Sequence, residues 1–124
     1  MTMRDSIAAA QLGSPVVDLE GGAAVEFCFR ANDPTFTGHF PGRPLLPGVF
    51  QLEMVRRTAE TVLNARLTVR EIRKAKFLRP ILPDETVRLE LKLSQKDTII
   101  EARATFRVGD QPAGEAHLLL WRNE

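Results

Sequence analysis

Apolar residues in this chain keep two rhythms, and the helical one occupies a single stretch. Val49, Leu52, Val55 (or Arg56), Ala59, Val62 and Leu63 recur three or four positions apart, the spacing of one helix face. Pro47 suits a first helical turn, where its missing N–H is not needed. Asn64 or Ala65 marks the end, because asparagine tolerates the left-handed stop. Elsewhere the pattern alternates. Before the helix, Val16 to Leu19 reads as a short strand, Glu20-Gly21-Gly22 as a turn, and Ala23 to Arg30 as a second strand. In that second strand Val25, Phe27 and Phe29 point one way, and Glu26, Cys28 and Arg30 the other. The two strands form a hairpin.

After the helix the chain reads as about four more strands. Leu67 to Leu78 alternates in part, and Pro80, Pro83 and Asp84 make a turn. Thr86 to Ser94 alternates strictly, with Val87, Leu89, Leu91 and Leu93 on one side. Lys96-Asp97 turns into Ile100 to Val108, and Gly109-Asp110 turns into a last strand through Ala116, Leu118 and Leu120. One helix against one antiparallel sheet buries one sheet face, which makes the chain α+β. Short turns between the last strands predict an antiparallel meander.

A chain of 124 residues with 44% hydrophobic residues holds one domain, residues 1–124, with residues 1–14 loosely ordered or briefly helical. A net charge of +1 argues against a dedicated nucleic-acid binder. Cys28 has no disulfide partner, and no Cys/His cluster suits a metal. No apolar run approaches the ~20 residues of a membrane span, and the apolar stretch at the N-terminus is too short for a secretory signal. The expectation is a cytoplasmic protein without a membrane span.

Between the hairpin and the helix lies a loop rich in proline and glycine, from Asn32 to Pro47. The run His39-Phe-Pro-Gly-Arg-Pro-Leu-Leu-Pro-Gly-Val-Phe-Gln-Leu-Glu53 puts a histidine on this stiff loop and a carboxylate on the helix. Histidine exchanges protons near neutral pH. A carboxyl group that is buried can stay protonated and act as an acid. Gly48 falls at the helix start, where a backbone N–H points outward with the positive end of the dipole and can meet a developing oxyanion. Base, acid and oxyanion donor together suit proton abstraction beside a carbonyl.

Gly38 to Val49 followed by Glu53 resembles the signature of the 3-hydroxyacyl-[acyl-carrier-protein] dehydratases of the FabZ/FabA type. Lys76-Phe77-Leu78-Arg79-Pro80-Ile81-Leu82-Pro83-Asp84 is similar to that family's strand and Pro–Pro turn. The resemblance covers roughly Ala23 to Leu120. It implies the hotdog fold, an antiparallel sheet wrapped around one long helix. It implies His39 as the base that takes the C2 proton, Glu53 as the acid that protonates the leaving 3-hydroxyl, and the Gly48 N–H as the donor to the thioester oxygen. Phe40, Leu46 and Val49 would lie beside the acyl chain. The substrate would ride on the phosphopantetheine of acyl carrier protein, with no metal or other cofactor. The implied assembly is a homodimer with each active site shared across the interface, and a higher oligomer is compatible with it.

Arg66, Arg70, Arg73, Lys74, Lys76 and Arg79 crowd one stretch, opposed there by Glu71. They read as a solvated strand face or, with Lys74, Lys76 and Arg79 foremost, as a docking patch for the acidic carrier protein. The chain departs from the family pattern in three places. The usual N-terminal segment is missing, which points to a variant for a specialised fatty-acid, polyketide or polyene pathway. Arg57 stands where glutamine is common, and Met54-Val55-Arg56 replaces Ala-Met-Ala. A Glu53–Arg57 pair at i,i+4 would make Glu53 a poor acid. Two other readings therefore stay open: a hotdog acyl thioesterase, and a catalytically silent acyl-binding subunit.

Overall fold

Thr2 opens the chain with a capping box. Its hydroxyl accepts the Asp5 N–H, and the Asp5 carboxylate accepts the Thr2 N–H. These bonds satisfy donors that a helix start otherwise leaves orphaned, and helix α1 runs Met3–Ala10. The computed structural model describes residues 2–36 and 44–123.

Strands β1 (Gln11–Val17) and β2 (Gly22–Cys28) pair antiparallel. The first strand begins well before the expected Val16, and Gly13-Ser14-Pro15 lies inside it as an irregularity between Leu12 and Val16. An edge strand tolerates such an interruption, because one side of it makes no ladder bonds. Asp18 closes the hairpin by accepting the N–H groups of Glu20 and Gly22 at 2.7 and 2.8 Å. The sequence reading placed Cys28 on the outward face, but Cys28 is buried. Ala9 and Ala10 of α1 line the same hollow as Cys28, so the added helix covers that end of β2.

A 3-10 turn at Pro34–Phe36 follows, then helix α2 (Gly48–Leu63) and strands β3 (Leu67–Phe77), β4 (Thr86–Lys96), β5 (Ile99–Val108) and β6 (Gln111–Arg122). The strands form one six-stranded sheet in the order β1-β2-β4-β5-β6-β3, and each neighbouring pair is antiparallel. The expected meander is β4-β5-β6. The chain crosses from β2 to the far edge through α2 and β3, then returns to lay β4 beside β2. This crossing drags the helix over the inner face of the sheet.

The expected alternation holds on β4 and β5. Val87, Leu89 and Leu91 are buried, as are Ile100, Ala102, Ala104 and Phe106, while Arg88, Glu90 and Arg103 face solvent. The buried helix face keeps the expected Val55 and Ala59, with Leu52 and Leu63 packed beside it, and differs at Val49. Phe50, Gln51, Met54, Val55, Thr58 and Ala59 are buried, whereas Val49 is 57% exposed. Both stripes keep helical spacing; the larger Phe50 and Met54 take the sheet side and rotate Val49 out. The helix stops at Asn64, in the left-handed region at φ 50°, where its N–H returns to the Glu60 carbonyl. Among the described residues, no helix is long and apolar enough to cross a membrane.

Candidate active site at the start of helix α2

The helix start is fixed from outside the helix. The Leu46 N–H donates to the Ile81 carbonyl at 2.8 Å, and the Leu46 side chain is buried. Pro47 is the N-cap, in extended geometry at φ −61° and ψ 146°, and its carbonyl accepts the Phe50 N–H. It therefore sits just ahead of the first turn, not in it. Pro47 makes no side-chain cap, and the first turn of α2 holds no acidic residue. N–H groups of a first turn have no acceptor within the helix and carry its positive end.

Gly48 is the first helical residue. A Cβ there would fall 2.6 Å from the Phe77 ring, so the lack of a side chain lets the helix start meet the end of β3. Gly114 plays the matching role on β6: a Cβ would sit 2.8 Å from the Lys76 carbonyl and 3.2 Å from Gln51 Oε1. Gln51 Oε1 is buried and has no hydrogen-bond partner among the described residues.

Glu53 lies on the second turn, and its partner is Arg56, not the Arg57 that the sequence raises as a possible pair. Arg56 Nε donates to both Glu53 oxygens, at 3.1 and 3.0 Å, and Nη2 also bonds to Oε1. Arg56 reaches in the other direction as well. Its Nη1 is 2.8 Å from Glu60 Oε2 and donates to the Leu67 carbonyl at 3.1 Å. Glu60 Oε2 accepts the Leu67 N–H at 2.9 Å. Both backbone groups of Leu67 are thus held by helix side chains. The hydrogen bond to Glu53, with the charges of Glu53 and Glu60, outweighs burial and raises the Arg56 pKa above the usual guanidinium value. Arg57 Nε is buried and unpartnered among the described residues.

The other sequence candidates are spread out. His39 and Phe40 lie outside the described residues. Lys74 is 2.6 Å from Glu115, and its hydrogen bond and charge hold the Glu115 pKa low. Arg79 is half-buried and 2.9 Å from Glu85. Burial pushes the Glu85 pKa up, but the bonds from Arg79 and the Leu82 N–H win and leave it lowered. Lys76 is exposed one register step from that cluster, opposite Glu115. The sequence reading missed Arg56 as the partner of Glu53, and it missed Phe77 against Gly48. The first was visible as Glu53, Arg56 and Glu60, whose i,i+3,i+7 spacing shares one helix face.

Known proteins resemble this chain in sequence and fold. A family model described as ApeI-like, ApeI dehydratase, matches residues 18–117. A 3-hydroxyacyl-[acyl-carrier-protein] dehydratase FabZ from Chloroflexus aggregans is 41% identical over 119 residues, covering 84% of this chain and 79% of that enzyme. The FabZ of Caulobacter sp. strain K31 is 30% identical over 99 residues, which is 72% of this chain but 61% of the enzyme's length. Among solved structures, the dehydratase heterocomplex ApeI:P from Xenorhabdus doucetiae matches with TM-score 0.75 and 28% identity, covering 90% of this chain and 96% of that one. An uncharacterized protein from Erwinia carotovora subsp. atroseptica matches with TM-score 0.68 and 32% identity, covering 91% and 95%. With its antiparallel six-stranded sheet and single long helix, this chain has the hotdog fold and belongs to the ApeI-like dehydratase family.

Proposed function

We propose that the chain dehydrates 3-hydroxyacyl thioesters carried on acyl carrier protein to the trans-2-enoyl thioesters. Family membership supports this reading, and the observation that carries it is the start of α2. There an uncapped helix N-terminus at Gly48 and a carboxylate at Glu53 stand on one rigid element. His39 takes the C2 proton, and the Gly48 N–H holds the thioester oxygen as charge builds on it. Glu53 gives a proton to the departing 3-hydroxyl, so hydroxide leaves as water and the C2–C3 double bond forms. This chemistry calls on no metal or redox cofactor. Phe40, Leu46 and Val49 lie beside the acyl chain.

The working unit in this reading is a homodimer in which His39 of one subunit serves Glu53 of the other. The β3 edge supports it: among the described residues strand Leu67–Phe77 has no neighbour beyond it, and Ile72, Phe77 and Leu78 expose about half of their surface. An open edge of this kind invites a second strand. Lys74, Lys76 and Arg79, at the end of β3 that meets Gly48, form the surface that receives the acidic carrier protein.

The test is direct. A 3-hydroxyacyl carrier-protein thioester is mixed with the enzyme, and loss of water is followed by mass. Both His39→Ala and Glu53→Gln lower the rate by about 100-fold or more; near-full activity of Glu53→Gln removes the acid from the scheme. Release of free thiol in place of enoyl product marks hydrolysis instead. Charge reversal at Lys74, Lys76 and Arg79 raises KM for the carrier-bound substrate and not for a small thioester mimic. Equal effects on both substrates sink the docking surface.

A second reading has one observation in its favour. Arg56 grips both oxygens of Glu53, as a catalytically silent acyl-binding subunit would permit.

A further inference from the structure

The grip on Glu53 and the hold on Leu67 come from one side chain, and the two have different consequences. Arg56 is poised between two carboxylates, Glu53 one turn before it and Glu60 one turn after. The three side chains are only 15%, 21% and 25% exposed for Arg56, Glu53 and Glu60, so water screens their contacts weakly. A carboxylate whose two oxygens both accept from one guanidinium is held in one orientation, turned toward that cation. Glu60 and the Leu67 carbonyl are held at the same time through a different nitrogen, Nη1, so Arg56 keeps a carboxylate beside its charge when Nε and Nη2 let Glu53 go. Arg56 can therefore release Glu53 without leaving a buried cation unpaired, which would otherwise be costly.

We propose that Arg56 is a positioning residue that latches Glu53, and that the competing pull of Glu60 sets how often the latch opens. The inference rests on the dehydratase reading and deepens it. With the latch closed, as seen here, Glu53 is tied back along its own helix. With the latch open, Arg56 stays on Glu60 and Leu67, and Glu53 is free to take up a proton and meet the substrate hydroxyl.

The latch predicts opposite signs for its two partners. Arg56→Met frees Glu53 and raises kcat about tenfold, the worth of one hydrogen bond between charged groups, while KM stays within about twofold. Glu60→Gln keeps an acceptor for the Leu67 N–H but loses the charge that draws Arg56 away, so kcat falls by a similar factor. Arg56→Lys keeps the charge but loses the two-pronged grip, and its kcat lies between wild type and Arg56→Met. Thermal unfolding of each variant separates these effects from loss of the Leu67 clamp, and Glu60→Gln serves where Arg56→Met does not fold. If wild type is active and Arg56→Met has equal or lower kcat, the latch is wrong and the dehydratase reading stands. If wild type is silent and Arg56→Met turns over, the latch is supported in its strongest form. If wild type, Arg56→Met and Arg56→Lys are all folded and all silent, the latch and the dehydratase reading fall together.

Discussion

The two ends of α2 are finished in opposite ways. At the C-terminal end every device closes inward. Asn64 turns left-handed and sends its N–H to Glu60, the Ala65 N–H shares that carbonyl, and Arg56 and Glu60 hold Leu67 by both of its backbone groups. At the N-terminal end Pro47 offers no side-chain cap, no acidic residue meets the dipole, and Gly48 has no side chain at all. A helix end without its own partners costs stability unless something else meets its donors. Among the described residues the N-terminal end lacks such partners, and the proposed oxyanion role of Gly48 draws on that difference.

The largest way to break this contrast is to remove the N–H that the open end presents. Gly48→Pro does so with little harm to the helix, since proline is accepted at the first helical position and Pro47 already has the extended backbone that must precede it. Loss of one oxyanion donor lowers kcat about 100-fold or more. Gly48→Ala is the matched control: it keeps the N–H, yet its Cβ meets the same Phe77 ring. Phe77 is about half exposed, so the ring can swing aside, and the rate falls only a few-fold. Steady-state kinetics on both variants decide the matter. If they are equally slow, crowding at Phe77 and not the missing N–H is responsible.

How much of this was legible beforehand follows from what each feature depends on. The sheet was readable because Val87, Leu89 and Leu91 alternate with charged residues, and a period of two admits only one buried face. The helix and its stop at Asn64 were readable for a similar local reason. The centre of the inward helix face was readable at Val55 and Ala59, but its start was not, because Val49 and Phe50 are both apolar and only the sheet decides between them. Cys28 was misassigned because burial there comes from α1, whose capping box Thr2–Asp5 went unread. The site divides in the same way. The positions of Gly48 at the helix start and Glu53 one turn on were readable because both follow from the helix register. The i,i+4 rule raised Arg57 as a rival partner for Glu53 and passed over Arg56. The structure chose Arg56, because from that position one guanidinium also reaches Glu60 and the buried start of β3.

The smallest effect sharpens the contrast from its closed end. Asn64 sits at φ 50° and ψ 51°, a conformation that costs most L residues ~1–2 kcal/mol and asparagine less. Asn64→Ala therefore loses about 1 kcal/mol of stability, a fall of about 4 °C in Tm. Asn64→Gly, which has no Cβ to strain, is neutral or slightly stabilising. Neither variant changes kcat or KM, because the C-terminal stop touches nothing that reacts. Thermal unfolding and steady-state rates measured side by side check both halves. A loss of turnover in Asn64→Ala at a temperature where it is fully folded would mean that the closed end feeds back on Glu53, most directly through Glu60, whose carbonyl caps the stop while its carboxylate pulls on Arg56.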